Sequence, residues 1–385
     1  MIFEATGPFN AIGRIAMAEV EAALSAGWRV SVVAHRLAES LQGRVEWLQL
    51  YNPPRGFSVK WLTARHFIKK AMGDPERFDL IHGHQPQIAD LCDIFECHYL
   101  TRAAMEQGCR DARRGWRGRI ARLQEAIVLR AEDRCYRSWN QETVLLCDSE
   151  LTLRTFDNLY GLPRTHDVQI YPAPPWNPPS EAERVAARKN LVGTWEGPVV
   201  GFLGGMNERK GYKTALSAAA GSAGVFLLMG GSHSEQIDPP ASLAGRYRGL
   251  GLIEDVDRFY AAIDLLLVPS VFEPFGLVCF EAVSRGVPVA ASESVGALDT
   301  LSPYGITQRL SKDSDLAEMT LGFIRDRDET QLQCQACVDA YSAEQFADRV
   351  LRRYQSVLTT KYGDSKPSPL PADVSLAAKH ANPTA

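Results

Sequence analysis

Short apolar runs recur along the chain and alternate with stretches whose apolar positions follow helical spacing. Leu265-Leu266-Leu267-Val268 is four aliphatic residues in succession, the pattern of a strand covered on both faces. Pro198–Leu203, Val225–Met229 and Val287–Ala291 read the same way. So do Met1–Ala5, Arg29–Ala34, Phe78–His82, Asp93–Cys97, Thr143–Cys147 and Val168–Tyr171 earlier in the chain. Helices are expected at Arg14–Ala26, ended by Gly27, and at Glu150–Tyr160, between Ser149 as N-cap and Gly161 as stop. Further helices are expected at Val256–Ala262, Gly276–Arg285 and Ala343–Tyr362. Strand and helix in alternation predict an α/β protein with parallel sheets.

Five prolines between Pro172 and Pro179 interrupt this alternation and predict a stiff linker. Ser180-Glu-Ala-Glu183 then has the form of a capping box opening the next helix. The expected organisation is an N-terminal domain over 1–172 and a second domain over 173–342. A terminal helix over 343–362 and a disordered Pro/Ser/Ala-rich tail over 363–385 complete it.

A length of 385 residues suits two domains. A formal net charge of −4 argues against bulk nucleic-acid binding, which usually needs a basic protein. No window approaches eighteen consecutive apolar residues, and the first ten residues lack the basic and apolar regions of a secretory signal. Eight scattered cysteines fit a reducing compartment, so the expected location is the cytoplasm. Cys334-Gln-Ala-Cys337 has no second pair and is not expected to serve metal or redox chemistry.

The candidate chemistry centres on Pro269–Ser292, reading PSVFEPFGLVCFEAVSRGVPVAAS. A strand runs into a loop that carries Glu273, and a helix begins at Gly276. The first amides of such a helix lack intrahelical partners, so Gly276, Leu277 and Val278 are candidates for holding a phosphate. Glu-Pro-Phe-Gly-Leu-Val-x-x-Glu-Ala, followed by Gly-Val-Pro-Val, resembles the Glu-x7-Glu signature of the retaining glycosyltransferases of family 4, the glycosyl transferases group 1. The resemblance implies a GT-B fold, in which two Rossmann-like domains face a central cleft that holds a nucleotide-sugar. It places Glu273 near the reacting centre, Glu281 on the ribose hydroxyls, and Phe275 with the amides of Gly276–Val278 on the donor.

A second loop, Gly204-Gly-Met-Asn-Glu-Arg-Lys-Gly211, follows the first strand of the second domain. The commoner family form has Arg where this chain has Gly205. Arg209 beside Lys210 resembles the loop of lipopolysaccharide core glucosyltransferases, and both cations are candidates for the donor diphosphate. At the first strand-to-helix junction, Gly13 is a candidate for close approach to the donor phosphate. His98 follows the Asp93–Cys97 strand, where ligands of open α/β sheets collect. In the resembled family a His there points at the donor sugar.

His82-Gly-His84 has a spacing open to metal ligation. No neighbouring Cys or carboxylate set in the sequence completes such a site, so backbone-satisfied strand-end histidines are expected. Ten arginines against five acids fall between Thr101 and Arg137, interleaved with Trp116, Ile120, Leu123, Ile127 and Val128. The Arg102–Arg137 region reads either as an internally paired helical face or as a patch for an anionic membrane surface or acceptor phosphate.

The implied reaction moves a sugar, with retention, from a nucleotide-sugar (a UDP-sugar is favoured) to a hydroxyl of a glycan or lipid-linked acceptor. Lipopolysaccharide, glycolipid or polysaccharide synthesis is the expected setting, with peripheral attachment to the inner face of the plasma membrane. No metal and no cofactor are implied, because cations replace a metal. A nucleotide-sugar epimerase of the same fold and an inactive nucleotide-sugar-binding subunit remain alternatives.

Overall fold

A computed structural model of the chain describes residues 2–6, 11–50, 57–108, 115–137, 140, 142–311 and 314–363. Side chains are described from residue 12 onward, and in two helices only from residues 62 and 118. The expected tail therefore lies outside the described residues from residue 364 onward, as do Arg110, Arg113 and Arg114.

The N-terminal domain runs β1 (Ile2–Thr6), α1 (Ala11–Ser25), β2 (Ser31–Leu37), β3 (Glu46–Gln49), α2 (Phe57–Met72), β4 (His82–Gly83) and β5 (Ile94–Cys97). It continues through α3 (Thr101–Glu106), α4 (Gly115–Arg137), β6 (Val144–Cys147), α5 (Glu150–Tyr160) and β7 (His166–Val168). Its sheet has seven strands in the order β3-β2-β1-β4-β5-β6-β7. The second domain contains α6 (Glu181–Leu191), β8 (Val199–Leu203), α7 (Tyr212–Gly221), β9 (Phe226–Gly230), β10 (Tyr247–Gly249), α8 (Val256–Ala262) and β11 (Leu265–Val268). Then come α9 (Leu277–Val283), β12 (Val289–Ala291), α10 (Ala297–Leu301), β13 (Thr307–Arg309), α11 (Leu316–Arg325), α12 (Arg327–Ala340) and α13 (Ala343–Tyr362). Its sheet has six strands in the order β10-β9-β8-β11-β12-β13.

Strand pairing is parallel throughout both sheets, as in Leu266 opposite Val289 and Phe95 opposite Leu145. Every residue of β5, β6, β9 and β11 is buried. Helices on both faces leave no solvated side, hence the unbroken aliphatic runs. Strand order reverses between β1 and β4 in one sheet and between β8 and β11 in the other. Crevices open at such reversals, at the carboxyl ends of the strands.

Several boundaries differ from the sequence reading. Gly13 lies in the first turn of α1 rather than in a loop, because the helical spacing of Ile15, Ala16, Glu19 and Val20 extends back to Ala11. Phe78–Ile81 is not strand: only His82 and Gly83 pair in the sheet, and the Ile81 carbonyl instead accepts from the amides of Asp93 and Ile94. The proline segment is no free spacer. Ala173 N–H donates to the Tyr341 carbonyl and Asn177 N–H to the Ser284 carbonyl, and Trp176 packs on the second domain's core.

The two domains touch directly. Ser149 at the N-cap of α5 donates to the Pro274 carbonyl at 2.5 Å, and Arg154 reaches Asp299 at 2.8 Å. Phe272, from the second domain, is fully buried in the cluster that forms the N-domain core. α13 packs on the first domain: Phe346, Val350 and Tyr354 are its buried stripe, and Lys361 reaches Asp93 at 2.7 Å. No helix among the described residues is long and apolar enough to cross a membrane.

Candidate active site

The second domain brings its two signature loops into one place. β8 and β11 are neighbours, so the loops at their carboxyl ends must meet. Gly211 has φ of +73°, and a Cβ there would lie 1.9 Å from the Pro269 carbonyl oxygen. Only glycine allows both that conformation and that approach. The amide of Val271 donates to the Arg209 carbonyl, stitching the loops further. Asn207 accepts from the Lys210 amide and shapes the short 3-10 turn before Gly211.

The chemistry follows from this stitching. Lys210 Nζ lies 2.5 Å from Glu273 Oε2, and Arg209 donates to the same oxygen at 3.1 Å. Two cations against one carboxylate leave a net positive site, all three groups being partly exposed. Such a site attracts a diphosphate. Glu208, the other acid of the loop, is taken by Lys213 at 2.5 Å. The Cβ that Gly205 lacks would lie 2.8 Å from Asn207 Nδ2, so Asn207 occupies the space beside that position.

Gly276 adopts φ of +99° at the start of α9 and turns the chain from the Glu273 loop into the helix. Leu277 and Val278 follow in its first turn, both half-buried. Phe275 is core: its ring packs on Tyr171 and Phe280, with centroids at 4.9 and 5.2 Å, and its carbonyl accepts from the Ala297 amide. Glu281 meets Arg14 of the first domain at 3.1 Å and lies 3.4 Å from the Tyr260 hydroxyl. Arg14, Asn207 and Tyr260 were not among the residues picked from the sequence. Of these, Arg14 and Asn207 had a local signal, the one being next to Gly13 and the other inside the Gly204–Gly211 loop.

On the other side, His98 is nearly buried. Its Nδ1 bonds the Tyr171 hydroxyl at 2.5 Å and its Nε2 meets His84 Nδ1 at 2.8 Å. Burial pushes its pKa well below the ordinary imidazole range. Tyr171 in turn packs on Phe275, which links His98 to the second domain. Both ring nitrogens are therefore occupied, and a contact with a sugar requires one of them to be released.

Behind His98 lies a group that sequence spacing missed. His82 and His84 stand in a cluster of buried side chains. Glu19 from α1 and Glu96 from β5 join them, all four side chains being buried. His84 Nε2 is 3.1 Å from Glu19 Oε2, and His82 Nε2 is 3.6 Å from Glu96 Oε2. Burial pushes Glu19 up to about 7 and Glu96 well above the usual carboxylate range. It pushes His82 down to about 4 and His84 to about 3. The expected absence of a completing carboxylate set is thus corrected: the two acids come from elements 63 and 12 residues away from His82 and His84, respectively.

Residues 197–326 match the family described as Glycosyl transferases group 1. The D-inositol 3-phosphate glycosyltransferase of Nocardia farcinica is 29% identical over 234 residues, covering 54% of this chain and 52% of that protein. The chain thus spans about half the length of that relative. Among solved structures, WaaG, a glycosyltransferase involved in lipopolysaccharide biosynthesis, superposes with a TM-score of 0.64 at 16% identity. That match covers 91% of this chain and 99% of WaaG. HepE of Anabaena, solved in complex with UDP-glucose, gives 0.63 at 17% identity over 92% of this chain and 99% of its own. The fold is GT-B, and the second domain carries a glycosyl transferases group 1 domain.

Proposed function

We propose that this glycosyl transferases group 1 domain, with its partner domain, transfers a sugar with retention from a nucleotide-sugar donor to an acceptor hydroxyl. The observation that carries the reading is the convergence of Lys210 and Arg209 on Glu273 at the β8–β11 reversal. A donor diphosphate entering there meets Lys210, Arg209 and the amides at Gly276–Val278, with Gly13 approaching from the first domain. As the glycosidic bond breaks, negative charge grows on the leaving diphosphate, and fixed cations and amides stabilise that charge. Glu273, relieved of one cation, faces the sugar; His98 approaches it from the first domain. Glu281 exchanges Arg14 for the ribose hydroxyls. UDP is the favoured nucleotide of the donor, a choice supported by the UDP-glucose complex of HepE.

The acceptor reading rests on α4. Ile120, Leu123 and Ile127 are exposed at helical spacing on one face, beside exposed Arg119 and Arg122. An apolar stripe flanked by arginines suits an anionic membrane surface, and with it a lipid-linked or lipopolysaccharide-like acceptor on the inner face of the membrane.

Incubation of the chain with labelled UDP-, GDP- and ADP-sugars tests the activity. Donor hydrolysis or transfer with a UDP-sugar is expected. Formation of an epimer, or binding without turnover, would replace the transferase reading with the epimerase or the inactive subunit.

A further inference from the structure

The N-domain holds a second constellation that the transfer reaction does not use. Glu19, His82, His84 and Glu96 each turn one potential ligand atom to a common point, and these atoms lie within 4.8 Å of one another. Glu19 Oε2, His82 Nε2 and both oxygens of Glu96 make no hydrogen bond to a described residue outside the cluster; within it, His84 lies 3.1 Å from Glu19 Oε2. Buried polar atoms are rarely left so, because desolvation goes uncompensated. The atoms facing outward from the cluster are, by contrast, held. His82 Nδ1 bonds the Tyr354 hydroxyl at 2.9 Å, His84 Nδ1 meets His98 Nε2 at 2.8 Å, and Glu19 Oε1 accepts from Gln169 Nε2 at 3.3 Å. Metal-bound histidines show this division: one nitrogen faces the ion and the other is fixed by a neighbour.

We propose that Glu19, His82, His84 and Glu96 bind a divalent zinc-class cation inside the N-terminal domain. Two imidazoles and two carboxylates are a common donor set for zinc, and the two carboxylates neutralise its charge. Bonds of about 2.0–2.1 Å give ligand–ligand edges of about 3.3 Å in a tetrahedral site. The His84–Glu19 and His82–Glu96 pairs, at 3.1 and 3.6 Å, are already near that value. Rotation of the carboxylates closes the wider pairs. Ionisation of both acids on binding releases whatever protons they carry. A cavity of about 910 Å³, walled by Val20, Ile81, His82 and Tyr354 among others, reaches one of the four residues, His82.

The ion would tie α1, β4 and β5 together and act through two hydrogen bonds on more distant parts. With Nε2 of His84 on the metal, its proton sits on Nδ1 and is donated to His98 Nε2. His98 must then carry its own proton on Nδ1, toward Tyr171. The metal thereby selects the tautomer of His98 without touching the donor. The proposal is independent of the transferase reading and of the diphosphate site.

The tag-free full chain, stripped with a chelator and dialysed, should take up one equivalent of Zn2+, measured by elemental analysis, and its melting temperature should rise. Co2+ should give the visible d–d absorption of a four-coordinate site. Glu96→Gln and His84→Gln should weaken Co2+ binding at least about 100-fold and abolish that absorption, whereas His233→Gln, at an exposed histidine, should change neither. If the stripped wild-type chain gains no metal, no thermal shift and no Co2+ absorption, the four groups are a proton-sharing network and the proposal fails. It also fails if metal binds but both Gln variants bind it as the wild type does.

Discussion

Glu273 accepts from both Lys210 and Arg209 through a single oxygen, and that shared contact sets what each substitution should do. Lys210→Ala removes a charge-assisted partner of the diphosphate. UDP affinity measured by calorimetry should fall by about 1.5–3 kcal/mol, and an unchanged affinity would displace the proposed donor site. Glu273→Gln keeps the shape and loses the charge. It frees both cations, so UDP should bind at least as well as before. Turnover should nonetheless drop tenfold or more, about 1.4 kcal/mol in barrier; full activity would make Glu273 a structural loop residue.

Among the helices, α4 has two faces with separate roles. Its inner face carries Glu132, whose carboxyl accepts from the Thr101 amide and hydroxyl and from the Arg102 amide, holding the start of α3. Burial pushes this acid from 4.5 up to about 7. The folded chain therefore holds a proton that the unfolded chain releases between those values. The contribution is full below about 4.5 and is lost as pH rises toward 7. This sign is opposite to that of a salt-bridged acid. Melting temperatures of wild type and Glu132→Gln across pH 4.5 to 8 should diverge by an amount equivalent to about 1–3 kcal/mol, the wild type losing ground as pH rises. Parallel curves would show that Glu132 ionises normally. The outer face carries Ile120, Leu123, Arg119 and Arg122. Replacing both arginines by Gln and both apolar residues by Ser should remove salt-sensitive binding to anionic vesicles and spare UDP affinity. A native chain that ignores such vesicles at low salt would make the face a solvated one.

Across the whole molecule, the donor loop is also part of the domain interface. Phe272 leaves the second domain and completes the N-domain core, next to Ser149–Pro274 and Arg154–Asp299. Burying a phenylalanine ring is worth about 2–3 kcal/mol, enough to bias two domains joined by one linker and one returning helix. Phe272→Ala should therefore shift the chain toward a more open arrangement, read as a larger radius of gyration in X-ray scattering. No change on substitution would assign closure to the polar contacts alone.

What the chain declared in one dimension were features that depend on neighbours in sequence. Runs such as Leu265–Val268 are strands because parallel sheets bury both faces. Ser149 caps α5, Ser180 and Glu183 close a capping box, and Gly276 turns into α9, all through contacts a few residues long. The loops around Lys210 and Glu273 were legible for the same reason, since each is a compact strand-to-helix junction. Tertiary structure alone decided which of these meet. Parallel pairing of β8 with β11 puts Lys210 on Glu273, 63 residues apart, and closure of the domains puts Arg14 on Glu281, 267 residues apart. It also turned His82 and His84, unremarkable as a spaced pair, into a four-residue cluster. Glu19 and Glu96 lie on different elements, and the distances between side chains on separate elements are set only when the sheet and its helix pack.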